Sequence, residues 1–168
     1  MKAFTARTSD GRYGVVIGVK LFKQISRFCT KAEDNETGGI IVGHYSSDLA
    51  NALVTEATPP PPDSEQGYAY FVRGASGLPE LLQKRWAAKE RTYYLGEWHF
   101  HPANVIEPSR EDFDQMRQIA DAKEYSCREP ILLIVGRRFN KDTDRLIKMF
   151  VCPLNEPPLK LYRIKTET

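Results

Sequence analysis

The stretch Gly96-Glu97-Trp98-His99-Phe100-His101-Pro102, followed by Pro108-Ser109-Arg110-Glu111-Asp112, holds two of the chain's three histidines, one residue apart. Thr92 to His101 reads as a strand rich in aromatic residues, and on a strand residues i and i+2 point to the same face. His99 and His101 therefore project side by side, with backbone origins about 6–7 Å apart. Trp98 and Phe100 face the other way and are expected, with Tyr93 and Tyr94, to pack in the core. Ser109 with Asp112 three residues on makes an S-x-x-D capping box, which fixes Ser109 at a helix N-cap and Asp112 in the first turn. Phe113, Met116, Ile119 and Ala120 carry that helix forward at helical spacing.

Outward from this stretch, strands and helices alternate. Val19 to Lys31 places Phe22, Ile25, Phe28 and Cys29 on one stripe of a helix. Gly39 to Tyr45 and Ala52 to Glu56 read as adjacent strands, and Gly67 to Arg73 has strand character. Pro59 to Pro62 with Asp63 to Gly67 predict a stiff extended loop, because proline joins neither a helix interior nor a central strand. Leu78 to Lys89 carries Leu78, Leu81, Leu82 and Trp86 at helical spacing. Ile131 to Gly136 and Leu146 to Val151 read as buried strands joined by a basic turn, and beyond Pro153 a tail over about 153–168 thins into prolines and charges. The expectation is an α/β (α+β) fold: one mixed β-sheet flanked by helices, in a single domain over 1–168.

Composition agrees with that size. The 168 residues include 41% hydrophobic and 27% charged, ordinary globular usage that supports a real core. Twenty-four basic against 22 acidic residues leave a net charge of +2, without the basic excess of a nucleic-acid or anionic-membrane surface. Cys29, Cys127 and Cys152 show neither zinc-ribbon nor redox spacing and read as reduced. The opening MKAFTARTSDGRYG has no apolar core of signal-peptide length, and no apolar run is long enough to span a bilayer. No nucleic-acid partner, no membrane and a cytoplasmic location are expected.

Two imidazoles on one face can share a metal. A hydrolytic zinc site takes three protein ligands and leaves a fourth position for water, so a third ligand is needed nearby. Glu107, Glu111, Asp112 and Asp114 are all within reach along the chain, and spacing alone does not choose among them. The plain alternative is a capping box with two histidines satisfied by hydrogen bonds. Glu97 shares strand parity with both histidines and is expected to orient an imidazole, and His44 is expected to be a surface or packing residue. A cupin would need a further histidine after His101, and a zinc deaminase would need a Pro-Cys-x-x-Cys pair; neither is present.

The whole pattern, His99-x-His101, seven residues, Ser109, two residues, Asp112, resembles the JAMM metalloprotease motif of JAB/MPN domains. The resemblance runs from about Glu36 in Glu36-Thr37-Gly38-Gly39-Ile40-Ile41-Val42-Gly43 through the proline loop, Gly77-Leu78-Pro79-Glu80 and Tyr94-Leu95-Gly96-Glu97-Trp98 to Pro130-Ile131-Leu132-Leu133-Ile134-Val135-Gly136. It implies a three-layer, cytidine-deaminase-like arrangement, with Zn²⁺ held by His99, His101 and Asp112. Glu36 is implied as the catalytic base and acid, and Ser109 as a donor to the developing oxyanion. Phe100 stands where the eukaryotic deubiquitinases of this family often have Ser or Thr, and by alternation it faces away from the metal.

The bacterial branch it is most similar to comprises stand-alone peptidases of anti-phage CBASS operons, linked to an E1/E2-like ligase. This implies an isopeptidase that cuts after the C-terminal residue of a cyclic-oligonucleotide (CD-NTase-like) synthase joined to its target. Two further implications stand beside it: a peptidase acting on a ubiquitin-like or sulfur-carrier protein, and an MPN domain serving as an inert scaffold.

Overall fold

A computed structural model describes residues 3–103 and 105–165. In chain order the elements are β1 (Ala3–Thr8), β2 (Gly14–Gly18), α1 (Val19–Ala32), β3 (Thr37–Tyr45), β4 (Asn51–Ala57), β5 (Glu65–Gly67), β6 (Tyr70–Val72) and α2 (Leu78–Ala87). There follow β7 (Tyr93–His101), α3 (Arg110–Asp121), a 3₁₀ turn (Lys123–Tyr125), β8 (Ile131–Asn140), β9 (Asp144–Val151) and β10 (Leu159–Arg163). Eight strands form one mixed sheet in the order β1-β10-β9-β8-β7-β3-β4-β2 that closes on itself as a barrel, with β5 and β6 as a separate two-stranded hairpin. The mixed sheet with helices is the fold expected from the sequence, and its closure into a barrel is the added finding.

Two strand pairs, β2 with β4 and β7 with β8, are parallel, and the rest are antiparallel. The parallel pair β7 and β8 needs a crossover, which α3 supplies. Two apolar clusters lie on the two faces. One gathers Phe22, Ile25 and Cys29 of α1 with Trp98, Phe100, Leu133 and Val135; the other gathers Leu78 of α2 and Met116 and Ile119 of α3 with Ile40, Leu132 and Ile134. Helix, sheet and helices thus form three layers.

The alternation read along β7 holds where it matters. Trp98 and Phe100 are buried on the α1 side. Trp98 stacks on Phe28 at 5.8 Å and donates its indole N–H to the Thr58 carbonyl at 2.9 Å. Further back the pairing with β3 slips by one residue, from Ile41 opposite Gly96 to Val42 opposite Tyr94. This bulge puts Leu95 and Trp98, three apart, in the same cluster and leaves Tyr94 on the opposite face. Gly96 is required there, since a Cβ would lie 1.9 Å from the Ile131 carbonyl oxygen.

Several features differ from expectation. The N-terminal residues form a β1–β2 hairpin, and the segment beyond Pro153, expected to thin into a tail, carries β10, which pairs with both β1 and β9. The loop expected through Gly67 already turns into β5 at Glu65. Trp86, expected on the apolar stripe of α2, is 54% exposed and meets Tyr93 at 6.1 Å and the Arg91 guanidinium at 5.1 Å. No helix among the described residues is long and apolar enough to cross a membrane.

Trp98 ties α1, β7 and the Thr58 loop together while fully enclosed, so Trp98→Ala should lower the free energy of unfolding by about 3–5 kcal/mol in denaturant titration. A loss below about 1 kcal/mol would contradict the packing described.

Candidate metal centre

β7 delivers the two imidazoles, and the first turn of α3 delivers the carboxylate. The helix starts where it does because Ser109 caps it: the Asp112 N–H donates to Ser109 Oγ at 3.1 Å, and the Ser109 N–H donates to Asp112 Oδ2 at 2.7 Å. The reciprocal bonds lock the Asp112 side chain in one rotamer facing β7. His99 Nδ1 lies 2.8 Å from Asp112 Oδ1, and His101 Nε2 lies 3.4 Å from Asp112 Oδ2. All three residues are buried.

Burial by itself would raise the Asp112 carboxyl, but hydrogen bonds with His101 and His99, and the charge of His99, outweigh it and hold the group well below the usual carboxylate range. An ionised carboxylate can only accept, so His99 donates from Nδ1. Its Nε2 is left buried without a hydrogen-bond partner. A buried polar atom in that condition costs about 1–3 kcal/mol.

One ligand atom each from His99, His101 and Asp112 lie within 4.8 Å of one another. Two imidazole nitrogens and one carboxylate oxygen are a donor set that fits a divalent zinc ion. Of the acids that spacing left open, Asp112 is the one brought against both histidines. Glu107 instead pairs with Lys148, and Asp114 pairs with Arg117 at 2.9 Å and with Arg110.

Glu36 reaches this group from another element. β3 runs antiparallel to β7 with Thr37 opposite Phe100 and Gly38 opposite His99, so Glu36, one residue before β3, stands at the His101 end. Its backbone N–H donates to the Gly67 carbonyl at 2.8 Å. Partial burial raises the Glu36 carboxyl; His101 and His99 pull it down and Asp112 pushes it up, for a net rise.

One expectation about a neighbour changes. Glu97 does not orient an imidazole; it is fully buried, with Arg73 Nε at 2.7 Å and the Tyr94 hydroxyl at 2.7 Å. An opposite charge in direct contact holds the carboxylate more strongly than a neutral ring would. His44 lies near the end of β3, opposite Leu53, and is half-buried. The residue that sequence reasoning missed is Phe71 of β6, whose ring meets His99 edge-on at 5.7 Å. Gly38 gives both rings their room, because a Cβ there would fall 2.8 Å from Phe71 and 2.9 Å from His99.

Residues 18–149 match the family described as prokaryotic homologs of the JAB domain, and the chain belongs to that family. It is 39% identical over 164 residues to a protein of Enterobacter hormaechei subsp. hoffmannii (strain UCI 50) named CD-NTase/cGAS isopeptidase, covering 98% of this chain and 89% of that one. A Pseudomonas aeruginosa (strain BWHPSA011 / Pa011) protein of the same name is 31% identical over 105 residues, 62% of this chain and 65% of that protein. Among solved structures, the solution structure of protein DSY2949 from Desulfitobacterium hafniense shares the fold at a TM-score of 0.55 and 18% identity, covering 89% of this chain and 88% of that one.

Removing the cap should cost what an N-cap is worth: Ser109→Ala lowers unfolding free energy by about 0.5–2 kcal/mol, whereas Ser109→Gly costs a few tenths. Equal losses in the two variants, measured by denaturant unfolding, would contradict the capping role.

Proposed function

We propose that this protein is a zinc-dependent JAMM-type isopeptidase, a single-domain cytoplasmic enzyme that removes conjugates from the C-terminus of a cyclic-oligonucleotide synthase in an anti-phage system. The observation that carries the reading is the convergence of His99, His101 and Asp112, with their ligand atoms within 4.8 Å, and the β3–β7 register that sets Glu36 at the His101 end. The substrate class rests on the two relatives named CD-NTase/cGAS isopeptidase. A protein partner follows from it, and a ligase that makes the conjugate is implied upstream.

His99, His101 and Asp112 would hold the metal, which when bound supplies Lewis acidity and makes water a usable nucleophile near neutral pH. Glu36 acts as the proton carrier. A carboxylate suits both halves of the task, taking a proton from the attacking water and giving one to the leaving amine. The amide C–N bond breaks, and the water's oxygen stays on the synthase's new carboxyl end. Ser109 accepts the Asp112 N–H through an oxygen lone pair, so its own O–H remains to donate to the oxygen that gains negative charge. The capping and oxyanion roles use different parts of one hydroxyl and do not compete.

Phe100 adds nothing to this chemistry directly, being 1% exposed on the opposite face of the strand. The inert-scaffold alternative is disfavoured because the chain carries every side chain that the proposed reaction uses.

Glu36→Gln should slow cleavage of a conjugate carrying the synthase's C-terminal tail by about 10²–10⁴-fold with zinc content unchanged. Retained turnover would remove Glu36 from the mechanism. His101→Ala should lose zinc and turnover together, as read by elemental analysis and gel-based cleavage, and a variant keeping both would show the ligand set to be wrong.

A further inference from the structure

The β5–β6 hairpin pairs with no other strand among those described, and two side-chain contacts link it and the residue after it to β7. Phe71 meets the His99 ring edge-on at 78°, and two residues further along the hairpin's end Arg73 meets Glu97, two residues before His99. The two contacts share one spacing, so this segment and β7 cross in matched steps.

The Arg73–Glu97 ion pair is buried, with side-chain exposures of 5% and 0%. Its other groups are also engaged. Arg73 Nη1 donates to the Gly74 carbonyl at 2.8 Å and Nη2 to the Tyr125 hydroxyl at 2.6 Å, while the Tyr94 hydroxyl donates to Glu97 Oε1. The loop ends are stapled separately: Asp63 accepts the N–H groups of Ala75 and Ser76, and Ser64 Oγ accepts that of Gly74. Across the hairpin, the Gly67 carbonyl receives the Glu36 N–H. The hairpin is thus fastened at one side to the strand carrying His99 and at the other to the residue proposed as proton carrier.

Burying two charges is no efficient way to gain stability, because apolar residues of similar volume serve about as well. What the planar guanidinium adds is orientation, since its donors have fixed directions. We propose that Arg73 and Glu97 are positioning residues: their ion pair docks the hairpin on β7 so that Phe71 abuts the His99 ring and the hairpin stands in one orientation beside the reacting bond. This rests on the isopeptidase reading for its effect on turnover, though the docking itself does not.

The test compares amide hydrogen exchange and cleavage kinetics of the zinc-loaded full chain, wild type against Arg73→Met/Glu97→Leu and Arg73→Lys. Removing both charges leaves no lone buried ion, so the double variant is expected to fold. Its exchange over residues 65–72 should be about tenfold faster, with β8 unchanged. Its kcat on the conjugate should fall about tenfold with KM within about twofold, and Arg73→Lys should lie between. Unchanged exchange in the hairpin would overturn the proposal, and so would faster exchange with unchanged kcat. A wild-type protein that cleaves no conjugate would sink the isopeptidase reading, leaving the exchange result to decide the docking alone.

Discussion

The register of β3 against β7 is the constraint on which the site depends. With Thr37 opposite Phe100 and Gly38 opposite His99, Glu36 comes to the imidazoles and Gly38 makes room beside them. Side chains alternate with a period of two, so a slip of one residue in β7 would send both histidines into the α1 core and bring Trp98 and Phe100 to the site. The register is therefore enforced from the apolar side. Trp98 and Phe100 have no other place to go, and the burial that holds them also aims the histidines.

The second support is the helix start. Asp112 would be an ordinary first-turn acid if Ser109 did not fix its rotamer through two backbone bonds. Capping and ligand placement are thus one feature, and the buried position of Asp112 is sustained by the imidazoles it faces. His99 Nε2 is the buried polar atom of this cluster that has no hydrogen-bond partner.

Legibility in the sequence followed the range of the signal. The stripe of α1, the alternation of β7 and the capping box of α3 are local patterns and were readable, as were the mixed sheet and the pairing of His99 with His101. β1 and β10 were not: both are short and partly exposed, and they are defined by pairing across most of the chain, with Ala6 opposite Arg163. Among the acids, Asp112 could be singled out only by the family resemblance, because Glu107, Glu111 and Asp114 are as near in sequence. Glu36 depends wholly on the β3–β7 register and carries no local mark. The misreading of Glu97 has the same origin, since its partner Arg73 lies 24 residues away on a hairpin whose docking no periodicity announces.

The central claim is that His99, His101 and Asp112 form a zinc site. Elemental analysis of the protein purified without chelator, beside its His99→Ala variant, tests it most directly. The account predicts about one zinc per chain in the first and loss of it in the second. Zinc absent from both, and not taken up on addition, would contradict it.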